Sequence, residues 1–202
     1  MDFFAGLSSG ITQTLIGHPL DTIKTNKQNN IKVKGNLYKG LKYPLISNSL
    51  LIGIQFDLYY RYNSLVSGIV SSAIITPLDH FKISRQNKIK TDFYGMIKNF
   101  KKGYPITVTR ETIALSIYFG TYDYMKNEIN YHPLISGGVA GTLSWLFTYP
   151  IDTIKTRVQS NISIREAIRT KNYWNGITIA LSRAFIVNGV GFYVAENVKK
   201  IF

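Results

Sequence analysis

Acidic and basic residues are absent from three long stretches of the chain, Phe3 to Leu20, Tyr62 to Leu78 and Ile129 to Ile151. Three shorter charge-free stretches alternate with them: Tyr43 to Phe56, Thr112 to Tyr122 and Ala184 to Ala195. A bilayer-spanning helix needs about 20 mostly apolar residues. The long stretches, of 18, 17 and 23 residues, therefore predict three spanning helices, and the shorter ones predict a partner for each. Any short stretch alone reads equally well as a buried core helix. Six in alternation would leave a soluble chain of 202 residues little polar sequence to cover them. The mean hydropathy of 0.00 agrees with spanning helices that line a water-filled cavity and keep one face polar.

Self-comparison gives the pattern a period. His18-Pro19-Leu20-Asp21-Thr22-Ile23-Lys24 recurs as Thr76-Pro77-Leu78-Asp79-His80-Phe81-Lys82 and as Tyr149-Pro150-Ile151-Asp152-Thr153-Ile154-Lys155. Four residues after each Lys stands a glutamine: Gln28, Gln86 and Gln159. Nine before each Pro stands Gly10, Gly68 or Gly141, and thirteen before stands Gly6, Ser64 or Gly137. Small residues four apart form a flat face that lets helix backbones approach where lipid offers no hydrophobic drive. Proline removes one backbone hydrogen bond and bends the helix at the end of its apolar run. An Asp and a Lys three apart can pair within one helix. Three such helices converging on an axis would let each Asp reach the Lys of the next repeat and close a ring.

These residues resemble the mitochondrial carrier family, whose signature is Pro-x-[Asp/Glu]-x-x-[Lys/Arg] in three tandem repeats of two transmembrane helices each. The resemblance covers essentially the whole chain. The family's aromatic-basic-glycine element stands as Tyr38-Lys39-Gly40 and is loosened to Phe100-Lys101-Lys102-Gly103 and Trp174-Asn175-Gly176. The resemblance implies an all-α membrane protein: one carrier domain over 1–202, with repeats at about 1–62, 63–130 and 131–202, and six transmembrane helices related by threefold pseudosymmetry. It also implies a matrix gate of Asp21, Lys24, Asp79, Lys82, Asp152 and Lys155, in which Asp21, Asp79 and Asp152 pair with Lys82, Lys155 and Lys24, braced by Gln28, Gln86 and Gln159. A cytoplasmic gate is implied at Asp123, Lys126, Glu196 and Lys199. In the first repeat Tyr60 and Asn63 take the matching positions, and Asp57 and Arg61 lie out of frame. Members of the family are commonly longer. The missing length falls between each signature and its glycine, so the matrix surface helices are expected to be trimmed or absent.

Two basic residues remain for the interior of the shorter-stretch helices. Arg110 and Arg183 each stand seven after their repeat's glycine and thirteen before an acid, Asp123 or Glu196. The same count in the first repeat reaches Ser47, followed by Asn48. These positions resemble the family's substrate contact points. Arg110 is followed by Glu111, and an Arg followed by an acid is similar to carriers of amino acids and related zwitterions, of the ornithine, carnitine or S-adenosylmethionine type. A guanidinium holds a carboxylate in a fork while a neighbouring carboxylate accepts an ammonium. Glu111 can alternatively serve only to neutralise Arg110. Two arginines could also hold phosphates, which keeps a nucleotide or deoxynucleotide carrier as the alternative.

Composition then narrows the classes. The chain has 24 Lys and Arg against 11 Asp and Glu. Of those basic residues, 18 fall in Lys24 to Lys42, Lys82 to Lys102 and Lys155 to Lys171. One membrane face would therefore carry the positive excess, suited to the matrix side and to anionic lipid such as cardiolipin. A basic nucleic-acid binder would need that charge on a helix face or groove, not in loops between apolar runs, so nucleic acid is not expected as a partner. A membrane scaffold that transports nothing would have no need of three intact Asp–Lys pairs. No nucleophile motif, phosphate loop or cysteine is present, and His18, His80 and His132 are scattered, so neither an enzyme nor a metal or other cofactor is expected. Met1-Asp2-Phe3-Phe4 offers no basic leader, so the first apolar run is expected to be the first span of a monomeric, multi-pass inner-membrane protein. Heavy use of Ile (27) and Asn (15) over Ala (8) fits an AT-rich source, such as a protist or a large virus acting on a host mitochondrion.

Overall fold

A computed structural model describes residues 1–28, 36–38, 40–86, 93–159, 163–169, 173–174 and 177–201. The side chains of 22–28, 79–86, 93–103, 156, 158, 159 and 164 lie outside that description. The elements among the described residues are all α-helices: α1 (Asp2–Gln28), α2 (Lys42–Arg61), α3 (Ser64–Gln86), α4 (Phe93–Asn127), α5 (Pro133–Gln159), α6 (Ile164–Arg169) and α7 (Ile177–Ile201). The charge-free runs fall in the six long helices, and α6 is a single short turn between α5 and α7. Among the described residues, α7 is the one helix long and apolar enough by itself to cross a bilayer, and Ser64–Leu78 of α3 forms a shorter apolar segment.

Local chemistry sets the ends. Asn63 caps α3, its Oδ1 accepting the Val66 N–H at 2.9 Å. Ser163 caps α6, its Oγ accepting the Glu166 N–H at 3.3 Å. Gly40 stands at φ +84° between α1 and α2, a conformation that costs a side-chain-bearing residue energy, so the chain turns there. The matching Gly103 behaves differently, because it lies inside α4, which begins ten residues earlier at Phe93 and continues through Pro105. The signature prolines Pro19, Pro77 and Pro150 also lie inside their helices, α1, α3 and α5, so each signature continues its helix instead of ending it.

Each long helix packs on its neighbours in the chain, and α7 returns to α1, which closes a ring of six; α6 lies against α5. The small residues of the repeat frame make the seams. A Cβ at Gly6 would lie 2.9 Å from the Gly53 backbone, one at Gly68 2.8 Å from Thr112 Cα, and one at Gly137 2.8 Å from the Asn188 carbonyl. Buried serines and threonines fill the seams and bond backbone carbonyls: Ser72 to Gly68 at 2.6 Å, Thr148 to Ser144 at 2.7 Å, and Ser144 across to Ala114 at 2.9 Å. Large apolar side chains such as Ile46, Leu65, Phe147 and Ile186 face outward. An outer surface this apolar is what lipid, not water, accommodates.

Gly68→Val should lower the melting temperature of the purified protein in detergent, because overpacking against backbone costs about 1–3 kcal/mol. Gly120→Ala, where a Cβ meets nothing within 4 Å, should leave it unchanged or raise it. Equal tolerance of both in a thermal-shift assay would show that the α3–α4 seam is not close-packed.

Candidate functional site

Charged side chains inside an apolar helix ring are stable only when paired, and the described ones are. Arg183 of α7 grips Asp21 of α1 in a fork, Nε to Oδ1 at 2.7 Å and Nη2 to Oδ2 at 2.8 Å. Gly17 makes room for it: a Cβ there would stand 2.8 Å from Arg183 Nη2. Arg110 of α4 is likewise shared, its Nε 3.5 Å from Asp152 Oδ1 on α5 and its Nη1 bonded to Glu111 Oε1. Its guanidinium also lies 5.5 Å from the centroid of the Trp145 ring. Glu111 is buried, whereas the side chains of Arg183 and Asp21 keep 30% and 49% of their surface exposed. A solute could reach the Arg183 pair without unfolding anything.

Each arginine thus meets the signature aspartate of the next long helix in the ring. The sequence expectation assigned Asp21 and Asp152 to lysines of neighbouring repeats; among the described side chains their partners are the arginines. Lys155 is buried, at 5% exposed. The side chains of Lys24, Gln28, Asp79, Lys82, Gln86 and Gln159 lie outside the described residues, so the expected ring of lysines and glutamines is not described. In the position matching the arginines, Ser47 donates back to its own helix at the Tyr43 carbonyl, 2.9 Å away, and Asn48 is exposed.

At the C-terminal ends of α2, α4 and α7 a second layer seals the ring. Lys126 of α4 pairs with Glu196 of α7, and the Tyr122 hydroxyl donates to Glu196 Oε1 at 2.9 Å. Tyr59 and Tyr60 of α2 both donate to Asp123, each at 3.2 Å. Lys199 sits 3.8 Å from the centroid of the Tyr60 ring and 2.7 Å from Asp2 Oδ1. At these positions α2 therefore contributes an aromatic ring and two hydroxyls where α4 and α7 contribute ions. Asn63 caps α3 instead of joining the layer, and Asp57 pairs along its own helix with Arg61, at 3.1 Å.

Below those charges lies an apolar plug. Phe56, Phe119 and Phe192, each sixteen residues after the glycine of its repeat, meet with ring centroids 4.9, 5.6 and 6.1 Å apart. Each is at most 1% exposed. Tyr122 stacks on Phe192 at 3.6 Å and Tyr59 on Phe119 at 4.1 Å. The triad escaped the sequence reading because phenylalanine in an apolar run looks like ordinary core. The count from the glycines that located the arginines would have found it. Asp2 and Trp145, which hold Lys199 and Arg110, offered no comparable signal.

Comparison with known proteins follows from this geometry. A family model described as mitochondrial carrier protein matches residues 128–169, which include the third signature. A mitochondrial arginine transporter of Arabidopsis thaliana is 27% identical over 96% of the chain and 89% of its own length. The mitochondrial basic amino acids transporter of Homo sapiens is 27% identical over 95% and 87%. The mitochondrial carnitine carrier of Saccharomyces cerevisiae is 24% identical over 99% and 87%. The first of these alignments runs over 265 positions against 202 residues, so the relative carries segments that this chain lacks. Three tandem signatures, the match to the third and relatives aligned along nearly all of the chain make this protein similar, over essentially its whole length, to proteins named as mitochondrial carriers and transporters.

Proposed function

We propose that the chain is a six-span, alternating-access carrier of the mitochondrial inner membrane that exchanges an amino acid or related zwitterion. Its three repeats, 1–62, 63–130 and 131–202, would stand around a threefold pseudo-axis, with the basic loops on the matrix face against anionic lipid such as cardiolipin. One observation carries the substrate class: both interior arginines already hold carboxylates, those of Asp21 and Asp152. A substrate carboxylate offers the same two oxygens in the same plane. Glu111 beside Arg110 supplies the acceptor for its ammonium, and Ser47 and Asn48 complete the contact points. Relatives named for arginine, basic amino acids, ornithine and carnitine agree with that chemistry.

The mechanism is an exchange of partners. Substrate entering at the arginines displaces Asp21 and Asp152, which turn to the signature lysines and close the matrix gate, with Asp79, Lys155 and the glutamines completing it. The binding energy realised in that exchange weakens the opposite seal of Asp123, Lys126, Glu196 and Lys199, because a ligand shifts an equilibrium only by its differential affinity for the two states. In the conformation described here the seal is shut and the arginines are held by the protein's own acids.

In proteoliposomes, uptake against a panel of basic amino acids, carnitine, S-adenosylmethionine and nucleotides should select a zwitterion. Arg110→Ala should abolish exchange, and Arg183→Lys, which keeps the charge but loses the fork, should reduce it at least about tenfold. Both variants should keep their elution position on gel filtration. Selection of nucleotides, or undiminished transport by the two variants, would overturn the reading.

The absence of cysteine permits a direct test of the seal. A single cysteine at Ser9 should react slowly with a polar thiol reagent added from the sealed side. Lys126→Glu should accelerate the labelling, and adding Glu196→Lys should restore the slow rate. Failure of the double exchange to restore it would remove that ion pair from the seal.

A further inference from the structure

Between the arginines and the aromatic plug lies a polar cluster that neither layer uses. Gln13 of α1, Tyr118 of α4 and Asn188 of α7 meet there. Gln13 Nε2 donates to Ser9 Oγ at 3.0 Å and to the Tyr118 hydroxyl at 3.4 Å, and Tyr118 donates to Asn188 Oδ1 at 3.3 Å. Asn188 Nδ2 donates to the Ala184 carbonyl at 2.8 Å. Two glycines make way for these amides: a Cβ at Gly191 would lie 2.3 Å from Gln13 Nε2, and one at Gly141 2.2 Å from Asn188 Nδ2. On its far side Tyr118 packs edge-on against Phe119 at 5.1 Å and lies 4.8 Å from Phe192, so the cluster forms the floor above the plug.

Two features separate this cluster from the structural polar seams. The first is asymmetry. The positions matching Gln13 in the other repeats hold Ser71 and Ser144, those matching Tyr118 hold Gln55 and Gly191, and those matching Asn188 hold Ile52 and Leu115. The Pro-x-Asp-x-x-Lys signatures and the phenylalanine plug follow the repeat, whereas an asymmetric solute needs contacts that break it. The second is hydrogen-bond balance. The four donations above engage the Tyr118 hydroxyl and both amide nitrogens, while Gln13 Oε1 and the second lone pair of Asn188 Oδ1 are left to accept. Acceptors spaced in a partly desolvated floor suit a cation bearing N–H groups.

We propose that Gln13, Tyr118 and Asn188 form a side-chain subsite that receives the cationic end of a basic amino acid, an ammonium or guanidinium. The assignment rests on the reading that the substrate carboxylate lies on the arginines. Asn188 stands five residues beyond Arg183 on α7, a rise of about 7.5 Å. That separation is comparable with the span from carboxylate to side-chain nitrogen in an extended basic amino acid. The subsite thus measures both the length and the charge of the side chain.

The test compares uptake of L-ornithine with that of L-norvaline, which has the same carbon chain without the terminal ammonium. The intact carrier should prefer ornithine. Asn188→Leu and Gln13→Leu should each reduce the ornithine-to-norvaline ratio of kcat/KM by about tenfold or more, since a polar site discriminates strongly against a ligand that leaves it unpaired. The milder Tyr118→Phe should lower the ratio by a smaller factor and guards against loss of fold in the other two. Arg183→Lys should weaken both substrates together and leave the ratio unchanged. A ratio near one in the intact carrier, or a ratio unaltered in folded variants while both rates fall in parallel, would overturn the subsite and leave the zwitterion reading standing. Uptake of neither amino acid would overturn both.

Discussion

The structure depends on the requirement that a charge inside an apolar helix ring be paired. Arg110 and Arg183 keep only 17% and 30% of their side-chain surface exposed, and leaving a buried ion without its partner costs about 3–5 kcal/mol. Arg183 takes the carboxylate of Asp21, and Arg110 those of Glu111 and Asp152. Asp21 and Asp152 belong to signatures that each carry a lysine as well. A system with two kinds of cation and one set of anions has two low-energy pairings, and the carboxylate of a bound solute can choose between them. In the proposed mechanism that is the physical content of alternating access: the exchange of partners stays nearly balanced as long as each state satisfies its charges.

The other end of the molecule uses the same rule with different materials. Two inter-helix ion pairs, Lys126 with Glu196 and Lys199 with Asp2, are described in its seal; α2 supplies Tyr59 and Tyr60, and Lys199 also rests on the Tyr60 ring. Tyrosine serves both roles because its face attracts a cation and its hydroxyl donates to an anion. The phenylalanine triad beneath excludes water and strengthens the polar contacts above it by lowering the local dielectric. Burying each ring contributes on the order of 1.5–3 kcal/mol, so the seal is held mainly by apolar contact and is aligned by the charges.

The helical ring and the interior arginines were legible in the sequence because both are anomalies against a uniform background: charge-free runs among basic loops, and two arginines inside such helices in a shared frame. What the frame cannot give is the facing of neighbours. Counting from Gly103 and Gly176 sets the depth of Arg110 and Arg183 along their helices but not the helix each one faces. Asp152 and Asp21 therefore emerged as their partners only in three dimensions. Gly40 and Gly103 occupy the same place in the repeat, yet one turns the chain and the other lies within α4; the loosened Lys101-Lys102-Gly103 element hinted at this without deciding it. Gln13, Tyr118 and Asn188 match nothing in the other repeats, and a search for periodicity is blind to residues whose value lies in breaking it.

The central claim is that Asp21 competes with the substrate carboxylate for Arg183. Binding of L-ornithine to the purified protein, compared between the wild type and Asp21→Asn, addresses it directly. The account predicts tighter binding by the variant, because a competitor that holds the site shut has been neutralised, together with slower exchange, because the matrix gate has lost an anion. Weaker or unchanged binding in a folded variant would show that Asp21 supports Arg183 without competing for it, and would contradict the partner-exchange mechanism.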